Sequence, residues 1–181
     1  RLRFTTSHPK DLSEELVAAF GKLDTLCNHF HLPVQSGSDA VLQRMNRRYT
    51  RDNYLEKLAR LRAVRPDMAI TTDLIVGFPG ESQADFEATL RLLDEVRFDN
   101  IFAFIYSDRP LAPAAGFSGK ISETEKKRRL AMLLERQAEI SASKNRTLEG
   151  TTEAVLVEGP SKRAGGPAMG ADGADRQWSG R

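Results

Sequence analysis

An α/β fold built on parallel strands is what this sequence predicts, and three observations predict it. Strand-like and helix-like segments alternate along the first hundred or so residues, the order produced by repeated βαβ units. The clearest strand, AITTDLIVGF at 69 to 78, is filled with β-branched residues and ends at Gly77 and Pro79, directly before a capped helix. The helical segments carry apolar stripes on one side, as helices laid on a sheet require.

Taken in order, Arg3 to Thr6 reads as a short extended stretch. A helix is predicted from Ser13 to Leu23, where Leu16, Val17, Phe20 and Leu23 share one stripe. HFHLPV at 29 to 34 reads as a strand, with Pro33 near its end because proline lacks the N–H a ladder needs. One helix follows Ser38, and a longer one is capped by Thr50 and runs through Tyr54, Leu58 and Leu61 to Arg65, where Pro66 stops it. After the strand at 69 to 78, Ser82 caps a helix bearing Phe86, Leu90 and Leu93. NIFAFIY at 100 to 106 supplies the next strand, which makes four strands and four helices.

The composition then shifts. SDRPLAPAAGFSGK, 107 to 120, is rich in Pro and Gly and reads as a surface loop of the kind that carries function. Ser122 and Glu125 form a capping-box pattern, and the segment after them predicts a long helix with Leu130, Leu133, Leu134 and Ile140 on its apolar side. Beyond Gly150 come a strand, TTEAVLVEG, and a tail rich in Gly, Ala and charge, so a boundary is placed near 149. The last 33 residues are too few to bury a core alone, and read either as part of an incomplete small β-domain or as a loosely ordered tail.

Composition excludes several classes. At 181 residues, 40% hydrophobic and 29% charged, the chain is neither fibrous nor disordered overall. No apolar run approaches the ~20 residues of a membrane span, and RLRFTTSHPK lacks the order of a secretory signal, so a cytoplasmic protein is expected. A single cysteine, Cys27, excludes an internal disulfide and any multi-thiolate metal or iron–sulfur site made by this chain alone. The net charge of +2 permits RNA binding without arguing for it. The first residue, Arg1, already sits in a predicted strand, so the sequence reads as part of a longer protein.

Five groups of residues bear on chemistry. GFPGE, Gly77 to Glu81, ends a strand and opens a helix, which suits either a tight structural turn or a close backbone approach to a ligand at the carboxyl end of a parallel sheet. QSGS, Gln35 to Ser38, follows the preceding strand and offers an amide, hydroxyls and a glycine, although Ser38 also serves as a helix cap. Cys27, His29 and His31 alternate on one strand face, where they are poorly arranged to converge on one ion; they are read as packed or hydrogen-bonded side chains, with no metal site. Arg47 and Arg48 have the donors to grip a carboxylate or phosphate. Lys126, Lys127, Arg128 and Arg129 begin a helix on the unfavourable side of its dipole, which is expected of a solvated face or, less simply, of a charged partner.

Together and in this order, RFTTSHP at 3 to 9, HLPVQSGS at 31 to 38, MNRRYT at 45 to 50, TTDLIVGFPGE at 71 to 81 and FIYSDRP at 104 to 110 resemble the radical S-adenosylmethionine methylthiotransferases, particularly the branch that modifies isopentenylated adenosine in tRNA. VEGPSKR at 157 to 163 is similar to the opening of a TRAM domain, a small RNA-binding β-barrel. The resemblance implies the second half of a partial (β/α) radical barrel at 1–116, a connecting helix at 117–148 and an incomplete TRAM segment at 149–181. It implies S-adenosylmethionine as cofactor, two 4Fe–4S clusters in the complete enzyme held by cysteines outside this sequence, and tRNA as partner, with no membrane association.

By that resemblance, Gln35, Ser36 and Gly37 serve the cofactor's ribose side, and Arg47 its methionine carboxylate. Asp73, Gly77, Phe78 and Pro79 line the adenine end, and Tyr106, Ser107 and Arg109 face substrate. No catalytic residue and no metal ligand is assigned to the chain, which alone is expected to be inactive. Two departures stand out: Leu111 and Ala112 replace the family's Gly and Thr after Pro110, and Ala171 stands where an RNA-contacting arginine is expected.

Overall fold

The computed structural model describes residues 2–3, 8–152, 157–160 and 178–180. The chain divides into two units, Arg1–Arg146 and Thr147–Arg181. The first opens, after a 3-10 turn at Pro9–Asp11, with α1 (Glu14–Lys22), β1 (His29–His31), α2 (Asp39–Arg44) and α3 (Arg51–Val64). It continues with β2 (Ala69–Val76), α4 (Gln83–Val96), β3 (Asn100–Ile105), a 3-10 turn at Pro113–Gly116, and the 24-residue α5 (Glu123–Arg146). In the second unit, β4 (Val157–Pro160) pairs antiparallel with β5 (Trp178–Gly180) through a register shift at Val157/Gly159.

The three strands of the first unit form one parallel sheet in the order β1-β2-β3, with His31 opposite Thr71 and Asp73 opposite Phe102. Two like-handed crossovers, through α3 and α4, put both helices on the same face. That face is the core: Phe30, Ile70, Leu74, Val76 and Ile101 pack with Tyr54, Leu58 and Leu61 of α3, Phe86, Leu92 and Leu93 of α4, and Leu133 and Ile140 of α5. The opposite face carries Asp73 and Ile75 of β2 beside Phe102 and Phe104 of β3, whose rings are about half exposed at 49% and 53%.

The predicted helix starts hold because the cap chemistry is present. Ser13, Ser38, Thr50 and Ser82 each accept a backbone N–H from the first turn of their helix, and Thr50/Asn53 and Ser82/Asp85 make full capping boxes. At α5, Ser122 Oγ accepts the Glu125 N–H, but the Glu125 carboxylate turns to Arg128 and Arg129 instead of closing the box.

Strand ends differ from expectation for identifiable reasons. β1 stops at His31 where 29 to 34 was expected, because Pro33 has no N–H and the Val34 N–H bonds the Thr72 hydroxyl (2.9 Å) rather than a ladder carbonyl. Pairing resumes as a single bridge between Gln35 and Leu74. β2 ends at Val76, one residue before Gly77, which takes φ +73. Of the expected strand at 3 to 6, residues 4 to 6 lie outside the described residues; just before it, Leu2 bridges Leu26 in parallel. Positions 153–156 of the expected strand TTEAVLVEG and 161–177, including Ala171, also lie outside them.

The basic run at the start of α5 is solvated only in part: Lys127 and Arg128 are exposed. Lys126 and Arg129 are buried, at 6% and 5% exposure, and both are spent on internal partners. Arg129 Nη1 donates to Glu81 Oε2 (2.7 Å) and to the Glu81 carbonyl (3.0 Å), and its Nε donates to Glu125. Lys126 Nζ donates to the Tyr106 carbonyl (3.1 Å) and to Glu123. The charge pattern was read as outward-facing because its acidic partner Glu81 is 48 residues away in sequence.

Candidate ligand cleft at the carboxyl ends of the strands

A cleft of about 480 Å³ opens where β2 and β3 end, lined by Gln35, Arg47, Asp73, Ile75, Phe78, Phe104, Ile105, Tyr106, Ser107, Arg109 and Ala112. Parallel α/β sheets place ligands here, outside the carboxyl ends of their strands. Each polar side chain arrives by a specific backbone device.

Gln35 sits in the left-handed region, φ +73, a conformation that costs a residue with a Cβ about 1–2 kcal/mol. It is held there from both sides: its N–H donates to the Asp73 carbonyl and its own carbonyl accepts the Ile75 N–H, each at 2.9 Å. Strain of this kind, secured by paired neighbours, re-aims a side chain. Asn46, also left-handed at φ +56, ends α2, and the turn brings Arg47 to the cleft. Arg48 diverges from it and lines a separate groove with Lys10, Tyr49 and Asn53. Tyr49, with its phenol pushed up to about 12 by burial, donates to the Val34 carbonyl (3.0 Å), and Tyr54 donates to the Leu32 carbonyl (2.9 Å). The two phenols tie the β1–α2 segment to α3.

The aromatic side of the cleft is a stack of edges. Phe78 meets Tyr106 edge-to-face at 5.0 Å and Phe117 at 6.2 Å, while Arg44 lies over the Phe117 ring at 5.6 Å. The Tyr106 hydroxyl donates to Asp108 (3.0 Å); desolvation first, then this carboxylate, raises the phenol's pKa. Lys120 Nζ pairs with Asp108 and lies over the Tyr106 ring at 5.4 Å. Asp108 is accordingly held below its usual range, first by Lys120 and then by Tyr106.

Four of the expected binding residues do not line the cleft. Ser36 and Gly37 pack against α4: the Gly37 N–H donates to the Thr89 hydroxyl (3.0 Å), and a Cβ on Gly37 would meet the Ala88 carbonyl oxygen at 2.5 Å. Gly77 donates its N–H to buried Glu81 Oε2 (2.7 Å), and the Pro79 carbonyl accepts from Arg44 Nε (3.0 Å). GFPGE is therefore a clamped turn that presents Phe78. Burial is the largest influence on Glu81 and raises its pKa despite the opposing bonds from Arg129 and Gly77.

Ile75, Phe104, Ile105 and Ala112 line the cleft without having been singled out. The signal for Phe104 lay in NIFAFIY, where Phe102, Phe104 and Tyr106 alternate onto one face that no helix covers. His29 and His31 turn to that same face and hydrogen-bond Thr71, in keeping with a hydrogen-bonded role.

A twisted parallel sheet with helices on one face and a polar and aromatic ligand cleft at its carboxyl edge defines a cofactor-binding α/β domain. The Radical SAM superfamily model matches residues 1–93, just over half of the chain. The chain belongs to the radical SAM superfamily. It is 64% identical, over all of its length, to the tRNA-2-methylthio-N(6)-dimethylallyladenosine synthase of Desulfosudis oleivorans, of which it covers 38%. It is 57% identical over 94% of its length to the like-named protein of Syntrophobacter fumaroxidans, covering 37% of it. The like-named protein of Clostridium botulinum is 49% identical over the same share of the chain. The chain thus spans less than two fifths of the length of these relatives. Its fold is similar to that of coproporphyrinogen III oxidase from Escherichia coli, a radical SAM enzyme, with a TM-score of 0.61 and 19% identity over 74% of this chain and 31% of that one.

Proposed function

We propose that this chain is the cofactor- and substrate-facing part of a tRNA methylthiotransferase, installing a 2-methylthio group on N6-isopentenyladenosine beside the anticodon. The single observation that carries the reading is the convergence of Gln35, Arg47, Asp73, Phe78, Tyr106, Ser107 and Arg109 on one cleft. The chemistry of that lining fits an adenosyl sulfonium. Arg47 offers a planar fork for the methionine carboxylate, Gln35 offers an amide for the ribose, and Asp73 and Phe78 offer acceptor oxygens and an apolar ring edge to adenine. Ser36 and Gly37 contribute by holding the turn that aims Gln35, and Gly77 and Pro79 by aiming Phe78. Tyr106, Ser107 and Arg109, at the outer end of the cleft, meet the RNA by stacking, hydrogen bonding and phosphate contact.

The lining does not fit an iron–sulfur cluster, because one cysteine cannot supply its thiolates. In this reading both clusters of the complete enzyme are held by other parts of it, and no step at iron is assigned to these residues. With a reduced cluster, bound S-adenosylmethionine supplies the radical that removes hydrogen from the adenine; this chain orients the cofactor and shields it from water. A TRAM module beginning within 149–181 adds RNA affinity, and the enzyme works in the cytoplasm, where tRNA is found. Among the described residues no helix is long and apolar enough to cross a membrane.

Calorimetric titration of S-adenosylmethionine into the complete enzyme tests the reading. Arg47→Ala is expected to weaken binding by roughly tenfold or more, the usual consequence of losing a charge-assisted pair. Equal affinity in wild type and variant removes Arg47 from the site. Mass spectrometry of tRNA nucleosides from cells with and without the gene separates this substrate from another adenosine or a protein.

A further inference from the structure

The face of the sheet left bare by the helices carries a continuous set of polar side chains, Arg3, His29, Thr71, His31 and Asp73, that the cofactor reading uses only at its last member. Arg3 Nε lies 3.3 Å from His29 Nδ1. His29 Nε2 lies 3.1 Å from Thr71 Oγ1, which lies 2.9 Å from His31 Nδ1. His31 Nε2 lies 3.4 Å from Asp73 Oδ1. Strand pairing imposes this order: His31 is the register partner of Thr71, and alternation puts His29 and Asp73 on the same side, one step away on each strand.

Donor and acceptor capacities allow the contacts to be satisfied together in one direction. Arginine only donates, so His29 Nδ1 accepts and its proton is on Nε2. Thr71 Oγ1 accepts that proton's bond and turns its single hydrogen to His31 Nδ1, which leaves His31 protonated on Nε2. The carboxylate of Asp73 only accepts, so His31 Nε2–H completes the series. We propose that Arg3, His29, Thr71 and His31 are positioning residues: a one-way hydrogen-bond chain that holds the Asp73 carboxylate oriented toward a donor-bearing ligand group in the cleft.

Two surroundings agree with this. His29 has its pKa lowered, first by burial and then by the neighbouring Arg3 guanidinium, with Asp99 opposing, which favours the neutral ring. The Phe102 ring meets His31 edge-to-face at 5.8 Å and, as the register partner of Asp73, flanks the end of the chain. A ribose hydroxyl pair or an amino group is the class of ligand group that suits the Asp73 carboxylate. That last step rests on the cofactor reading above, whereas the hydrogen-bond chain does not.

The test has two arms. With only three histidines in the sequence, long-range 1H–15N correlation spectra of the 181-residue chain at about pH 8, above the usual imidazole pKa, resolve each tautomer. His29 and His31 are both expected as the neutral Nε2–H form. Thr71→Val is expected to shift the His29 Nε2 and His31 Nδ1 resonances, as both rings lose their shared partner, and Thr71→Ser to restore the wild-type pattern. A predominant Nδ1–H tautomer or an imidazolium at His31 in the wild type overturns the proposal, and needs no variant to fold.

In the second arm, S-adenosylmethionine affinity of the complete enzyme is expected to fall roughly tenfold in Thr71→Val and to recover in Thr71→Ser. Unchanged affinity in a folded Thr71→Val protein overturns the positioning role. If the wild type shows the expected tautomers but binds no S-adenosylmethionine, the cofactor reading fails while the chain of bonds stands.

Discussion

Leu111 shows at one residue how a departure from a family pattern becomes a physical cost. The family resemblance expects glycine there, and the backbone explains why: Leu111 has φ +69 and a fully exposed side chain. The turn is closed by the Ala112 N–H donating to the Arg109 carbonyl (3.1 Å), so the left-handed conformation is built into the path that carries Arg109 past the cleft. A leucine gains nothing by packing at full exposure. Leu111→Gly is expected to stabilise the protein by about 1 kcal/mol, the relief of left-handed strain less the glycine's extra freedom when unfolded, measured by urea denaturation. Unchanged or lower stability would mean that the turn does not keep this conformation in solution. At Gln35 the same conformation is not relieved by design, since both of its backbone bonds to β2 depend on it.

At the scale of elements, the joint between α5 and the turn after β2 governs whether Phe78 is aimed at the cleft. Glu81 Oε2 accepts from both Gly77 N–H and Arg129, while its Oε1 is buried with no hydrogen-bond partner. Burial of such a pair is costly, and the return is conformational definition rather than net stability. Removing one partner is worse than removing both, because it strands a buried charge. Arg129→Met is therefore expected to lower unfolding free energy by about 3–5 kcal/mol, and Arg129→Met with Glu81→Gln to recover a substantial part of it. Chemical denaturation of Arg129→Met, Glu81→Gln and the double variant reads this, and an additive double variant would refute the coupling.

How much was legible in the sequence divides along the same line. Helix starts were readable because Ser13, Thr50 and Ser82 act within three residues of themselves. The cleft's polar members were readable through the family resemblance, because their motifs keep their order. Not readable were the end of β1, decided by where Val34 finds an acceptor in Thr72, and the inward turn of Lys126 and Arg129, decided by partners on another element. Local chemistry is visible in a local window; partners 20 to 48 residues away are not.

For the molecule as a whole, the buried apolar core among the described residues lies between Leu12 and Ile140, inside the first unit. α5, read from sequence as a connecting helix with Leu133 and Ile140 on its apolar side, contributes both to that core, and bonds it further when Gln137 Nε2 donates to the Phe98 carbonyl (2.9 Å) and Lys144 pairs with Asp99. A chain ending at Arg146 thus keeps each core side chain, the cleft lining and the Arg129–Glu81 joint. Its far-ultraviolet thermal midpoint is expected to match that of the 181-residue chain within about 2 °C, since a loss of even 1 kcal/mol would shift a domain of this size by more than that. The second unit holds the sequence's single tryptophan, Trp178, so fluorescence gives that unit its own reporter in the longer chain. A large drop in midpoint on truncation would instead make residues 147–181 part of what holds the sheet and its cleft together.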